Sequence, residues 1–202
     1  MIIHNVLNQV FSQKSNIAVL RTLNNVKIGL SGREVARQSG ISAPACLATL
    51  SLLENLNIVI RNRGGREHFF ELNRKHYLVD KIVIPNIYEE KKFMEELFSD
   101  IRKRLVKYCH IIIIFGSTAK KEEKIGSDLD VCLVFKNKIL KNKAEMVSSE
   151  LNSLLYKKYG VSYAPYFISE TNFFKRAENK KPPVADIIRK GIILAGKKLM
   201  SR

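Results

Sequence analysis

Two carboxylates separated by a single residue, Asp128 and Asp130, follow Gly116-Ser117 after ten intervening residues in the stretch HIIIIFGSTAKKEEKIGSDLDVCLVF. Side chains alternate along a strand, so Asp128 and Asp130 fall on one face with Leu129 on the other, and the two carboxylates converge. Like charges that close repel. Either a cation sits between them or one is protonated, and a pair of hard oxygen ligands is what Mg²⁺ accepts. Gly116 permits close backbone approach at a strand end, and Ser117-Thr118-Ala119 offers hydroxyls and N–H groups to a phosphate. Lys120 and Lys121 add positive charge beside them, although lysines in a run such as KKEEK are commonly solvated.

Such a constellation works only if regular elements hold it. Residues 110–115 are β-branched and continuous, as a buried strand should be, and residues 128–135 form a second strand. Upstream, Pro85 marks a break, after which Phe93, Met94, Leu97, Ile101 and Leu105 recur at helical spacing. Downstream, Val147, Leu151, Leu154 and Leu155 mark a helix, and VSYAPYFIS reads as a strand that Pro165 confines to an edge or a bend. TNFFKRAEN and PVADIIRKGIILAG read as terminal helices with Gly196 near the last stop, and Phe173 and Phe174 as core.

The spacing of Gly116-Ser117 and Asp128-Leu129-Asp130, each attached to an apolar strand, resembles the GSx10DxD pattern of the DNA polymerase beta-type nucleotidyltransferase superfamily, in particular its minimal nucleotidyltransferases. Over residues 93–198 the resemblance implies a small mixed sheet flanked by helices. It implies Asp128 and Asp130 as catalytic ligands of one or two Mg²⁺ ions, with Gly116, Ser117 and Lys120 binding ATP or another NTP. The implied reaction transfers a nucleoside monophosphate from Mg-NTP to a hydroxyl acceptor. Active relatives commonly carry a third carboxylate on a later strand, yet residues 161–168 contain neither Asp nor Glu. Glu170 just beyond is a candidate substitute, although its position also suits the first turn of a helix. A nucleotide-sensing regulator without turnover, and a toxin–antitoxin component acting with a small helical partner, stay open beside the enzyme.

The amino-terminal part has a different grammar. Residues 15–24 place Val19, Leu20 and Leu23 on one helical face; Ser31 with Glu34 forms a capping box for GREVARQ, which Gly40 ends. Ser42 then caps a third helix, APACLATLSLLENL, with Pro44 in its first turn. NIVIRNR, Gly64-Gly65 and REHFFELN read as strand, tight turn and strand. This order resembles the winged helix-turn-helix family of DNA-binding domains over residues 15–77, which implies DNA contacts from the wing residues Arg61, Arg63 and Arg66. Arg33, Arg37 and Ser42 are placed to hold the backbone. If Cys46, Leu50 and Leu53 face the core, the third helix turns Ala43, Pro44, Leu47, Ala48 and Ser51 outward, with none of the side chains that read base edges. Binding is then salt-sensitive and weakly selective, and Leu47 and Leu52 also suit a protein interface. The expectation is an α+β chain, with a winged helix-turn-helix at 1–84 and a small mixed-sheet, polymerase beta-like nucleotidyltransferase domain at 85–202.

Composition bounds these readings. The 202 residues are 46% hydrophobic and 27% charged, which fits folded rather than disordered protein. The net charge is +16, with +5 on residues 1–80 and +11 on residues 81–202, a balance that attracts polyanions. Nucleotide and DNA are therefore the expected partners, with a second copy of the chain or a small protein also open. No apolar run spans a bilayer and MIIHNVLNQVF lacks the features of a secretory signal, so a cytoplasmic location with no membrane is expected. Cys46, Cys109 and Cys132 are widely spaced, suiting small buried hydrophobes better than disulfides, and the four histidines lack zinc-binding spacing.

Overall fold

The apolar spacing of residues 15–24 closes into a helix, Lys14–Asn24 (α2), preceded by one turn, Leu7–Val10 (α1). The computed structural model describes residues 3–196, and the chain forms two compact units, Met1–Lys92 and Phe93–Arg202. In the first, a two-residue strand Leu30–Ser31 (β1) leads into Gly32–Ser39 (α3), then Ala43–Asn55 (α4) and a hairpin of Val59–Gly64 (β2) and Glu67–Leu72 (β3). The strands form an antiparallel sheet in the order β1-β3-β2, so the unit is a winged helix-turn-helix. Its core gathers Leu20 and Leu23 of α2, Val35 of α3, Cys46, Leu50 and Leu53 of α4, and Phe70 and Leu72 of the wing. Each fully buried leucine contributes about 1.5–3 kcal/mol relative to exposure.

Local chemistry explains where these elements start and stop. Ser31 Oγ accepts from the Glu34 amide at 3.4 Å, and Gly40 closes α3 at φ +71. Ser42 stands at the N-cap of α4, but its side chain makes no capping bond. Pro44 occupies the second helical position and lacks one of the two N–H groups that an N-cap oxygen serves. The hairpin turn is Gly65-Arg66 rather than Gly64-Gly65, because Gly64 already pairs with Glu67 and the positive φ, +64, falls on Gly65. Strand β1 carries no periodic signal in two residues and was not expected.

Pro85 does not break the chain's helical path. A π turn at Val79–Val83 runs directly into Ile84–Leu105 (α5), so the proline follows a widened turn in a continuous helical path. Asn86 Nδ2 donates to the Ile82 carbonyl at 2.7 Å, satisfying a nearby acceptor.

The second unit is a four-stranded mixed sheet in the order β6-β5-β4-β7, built from Ile111–Ile114 (β4), Leu129–Phe135 (β5), Tyr163–Ser169 (β6) and Ile192–Ala195 (β7). Strands β5 and β6 are parallel and the other pairs antiparallel. A short helix Gly116–Lys120 (α6) follows β4, a long one Lys138–Tyr159 (α7) joins β5 to β6, and Glu170–Glu178 (α8) and Val184–Lys190 (α9) follow β6. On one face Ile112, Ile114, Val131 and Leu133 pack with Ile101 and Leu105 of α5 and Leu151 and Leu155 of α7. On the other Ile111, Ile113, Cys132 and Val134 pack under Phe173, Val184 and Ile187. Pro165 lies in β6, an edge strand, where its absent N–H leaves no ladder bond unmade. The chain is thus α+β.

The terminal segment departs from expectation. Helix α9 ends at Lys190, and Ile192–Ala195 is a strand on β4 instead of a continued helix. Gly191 turns the chain: it is extended (φ −71, ψ 151), and a Cβ there would lie 2.3 Å from the Ile187 carbonyl oxygen and 2.5 Å from Ile113 Cγ2. Gly191→Ala is therefore expected to destabilise the protein by about 1–3 kcal/mol, read as a lower denaturant midpoint. The part of the expected second domain beyond residue 196 lies outside the described residues. Among the described residues no helix is long and apolar enough to cross a membrane. Cys46, Cys109 and Cys132 are buried and unbridged, and burial pushes the thiols of Cys109 and Cys132 up to about 12.

Candidate active site

The two halves of the Gly-Ser and Asp-x-Asp pattern meet where β4 ends and β5 begins. The Phe115 amide donates to the Asp130 carbonyl at 3.0 Å, and the chain then turns through Gly116 at φ +69 into α6. A Cβ on Gly116 would lie 2.0 Å from Asp130 Oδ2 and 2.9 Å from its Cγ, so the Asp130 carboxylate packs directly on the glycine. The loop that returns to β5 is pinned at both ends: the Glu122 amide donates to the Ser117 carbonyl at 3.0 Å, and the Lys124 amide to Ser127 Oγ at 3.0 Å. Leu129 faces the core, which leaves Asp130 on the opposite face with Cys132 and Val134, and Asp128 exposed just ahead of the strand.

Burial first, and the charge of Asp128 second, raise the Asp130 carboxyl above its ordinary range, with no cation lowering it. Among the described residues no three or more His, Cys, Asp or Glu side chains converge. Two carboxylates nevertheless fit Mg²⁺, which is commonly held by one or two of them together with substrate phosphates and water.

Lys120 lines a hollow of about 170 Å³ together with Gly116, Phe115 and, from α9, Asp186 and Lys190. Lys190 was not singled out in the sequence, because only the packing of α9 beside α6 brings it there. Asp186 is engaged by Arg189 Nη2 at 2.7 Å. Lys121 takes a left-handed conformation, φ +59, at the end of α6.

Position 164 faces the site from the neighbouring strand. Asp130 is the register partner of Ala164, so no carboxylate stands beside it on β6. Glu170 does not replace it. It lies past Ser169, which pairs with Phe135 at the far end of the strand, roughly 20 Å along the chain from Ala164 at about 3.3 Å per residue. There Glu170 Oε2 lies 3.1 Å from His110 Nδ1. Phe173 is fully buried, whereas Phe174 is 42% exposed and meets Phe173 edge-on.

In the winged helix, Arg33 and Arg37 are exposed on α3, and Arg37 Nη2 reaches Glu34 at 2.7 Å. Arg61 and Arg63 share the face of β2 that carries Val59, and Arg61 Nε is 3.0 Å from Glu54 of α4. Arg63 and the turn residue Arg66 are exposed and, with Arg33, make no ion pair among the described residues. Ser42 is exposed, as are Ala43, Pro44, Leu47, Ala48 and Ser51 on the outer side of α4.

Residues 94–193 match the family model described as "Nucleotidyltransferase domain", which spans the Gly116-Ser117 turn and both aspartates. Among solved structures the chain is similar to one described as a predicted DNA-binding transcriptional regulator from E. coli, at 20% identity over 43% of this chain and 84% of that one, TM-score 0.36. It is also similar to NadR in complex with 4-hydroxyphenylacetate, at 22% identity over 50% of this chain and 74% of that one, TM-score 0.39. A third is the transcriptional repressor CouR bound to a 23-mer DNA duplex, at 25% identity over 50% and 76%, TM-score 0.35. Scores of this size carry no argument about function. No curated protein matches the chain.

Proposed function

We propose that the chain is a nucleotidyltransferase that moves a nucleoside monophosphate from ATP or another NTP to a hydroxyl acceptor, with a winged helix that engages DNA. The observation that carries this reading is the packing of the Asp130 carboxylate on Gly116 with Asp128 close enough to raise its pKa. That contact puts the Gly116 turn and both carboxylates at one strand end, the arrangement a phosphate and a metal ion would need. Asp128 and Asp130 would hold Mg²⁺, Ser117 and the backbone at Gly116 would hold the outer phosphates, and Lys120 would add charge from the end of α6. When bound, Mg²⁺ would offset the charge that develops on the phosphates during in-line attack. In the winged helix, Arg33, Arg37, Ser42, Arg61, Arg63 and Arg66 would grip the DNA backbone. The apolar outer side of α4 would contribute little base readout.

A second reading, a regulator that binds nucleotide without turnover, is favoured by one observation, Ala164 in register with Asp130. A carboxylate there would have been placed to take the proton of an attacking hydroxyl. Incubation with Mg²⁺ and α-labelled ATP, with and without cell lysate, separates the two. Label that reaches an acceptor with the wild type and not with Asp128→Asn/Asp130→Asn supports transfer. Mg²⁺-dependent ATP binding with no label transferred supports the sensor, and absence of both overturns the nucleotide site.

A further inference from the structure

The same sheet carries a second feature at the end remote from Asp130. Two hollows open there, one of about 430 Å³ lined by α8 and the segment after it and one of about 360 Å³ beside the edge strand β6, and they share Asn172 and Arg176 of α8. Lys175 and Lys181 line the first and Lys141 the second; no acidic side chain lines either. Lys141 is paired with Glu145 at 2.9 Å, and Arg176 Nη1 donates to the Pro182 carbonyl at 3.2 Å. Lys175 and Lys181 have no carboxylate partner among the described residues. With Lys175, Arg176 and Lys181 free of carboxylate partners among the described residues, this concave surface is net positive and attracts negative charge.

Strand β6 links this surface to the site. Asp130, Cys132 and Val134 pair in register with Ala164, Tyr166 and Ile168, so Tyr166 lies on the face that carries Asp130, partway towards the hollows. Its ring meets Phe115, the residue before Gly116, edge-on at 6.3 Å. Tyr166 and Phe167 are half-buried and both line the second hollow. From Ala164 to Ser169 the path is roughly 16 Å at about 3.3 Å per residue, longer than one nucleotide needs.

We propose that this groove binds a single-stranded nucleic acid, with phosphates on Lys175, Arg176 and Lys181 and a base against Tyr166, its end directed towards Asp130. A basic track interleaved with aromatic rings is how such strands are held without sequence readout. That the strand's terminal hydroxyl is the acceptor rests on the transfer reading; the groove itself does not.

The test is fluorescence anisotropy of the full chain with a short labelled oligoadenylate RNA and its DNA counterpart, across a salt series. Lys175→Glu/Lys181→Glu is expected to weaken binding by about tenfold or more and to reduce the salt slope by about 1.4, two contacts at about 0.7 each on a single strand. Lys175→Gln/Lys181→Gln should give the same slope change with a smaller loss, and far-UV circular dichroism checks that both variants fold. The RNA and DNA arms decide which sugar the groove prefers. Unchanged affinity and slope in the groove variants overturn the proposal. Mg-ATP binding is measured on the same preparations. Nucleotide binding without oligonucleotide binding defeats the groove alone, and the converse defeats the transfer reading alone.

Discussion

Asp130→Asn is expected to abolish Mg²⁺-dependent nucleotidyl transfer while raising the melting temperature of the ligand-free protein at neutral pH. The loss follows from position: Asp130 lies against the turn that would hold the phosphates, and metal-borne charge stabilisation of several kcal/mol corresponds to a fall on the order of 10³-fold in rate. The gain in stability follows from linkage. Burial and Asp128 raise the folded-state pKa of Asp130 above its unfolded value, so the folded protein binds the proton more tightly. The stabilisation that protonation provides is complete below the unfolded pKa of about 3.9, fades as pH rises from there through the raised folded value, and is absent at neutral pH. An amide at this position removes the charge and with it the penalty. The variant should therefore melt above wild type at neutral pH and converge with it in acid. Mg²⁺ should raise the melting temperature of the wild type at neutral pH and leave that of Asp130→Asn unmoved. A variant that melts below wild type at neutral pH would show that Asp130 serves the fold instead of a charge-hungry site.

Much of the fold was legible because short-range rules decide it. Ser31 with Glu34, Gly40, and the periodic Val19, Leu20 and Leu23 each specify local geometry through residues within a turn or two. The same holds for the β-branched run of residues 110–115 and the largely apolar stretch 128–135, which became the two central strands. What the sequence did not disclose depends on partners far along the chain. Ile192–Ala195 is a strand because β4 has a free edge and Gly191 fits between Ile187 and Ile113; isoleucines after a helix carry no mark of that. Glu170 stayed a candidate substitute until the parallel register of β5 and β6 set Ala164 beside Asp130 and Glu170 past the far end. Lys190 and the Lys175–Lys181 groove belong to the same category, since helices α8 and α9 place them and no spacing announces them.

Gly116→Ala is expected to destabilise the protein through both backbone strain and a clash, and a double-mutant cycle with Asp130 separates the two. Two effects add at this position. A positive φ of +69 strains any residue with a Cβ by about 1–2 kcal/mol, and the methyl would overlap Asp130 Oδ2, an overpacking that costs roughly 1–3 kcal/mol. Gly40 isolates the first effect: it has φ +71, with nothing within 4 Å of its would-be Cβ. Gly40→Ala should therefore lose only about 1–2 kcal/mol, read from the denaturant midpoint, and Gly116→Ala distinctly more. Removing the obstructing carboxylate in Gly116→Ala/Asp130→Ala should restore the difference, leaving a coupling between the two positions of about 0.5–3 kcal/mol. Nucleotide binding should not return in the double variant, because the Asp130 carboxylate that would hold Mg²⁺ is gone. Additive effects of the two substitutions would mean that Asp130 swings clear of Gly116 at little cost, and the close approach that joins the two halves of the site would then be dispensable to it.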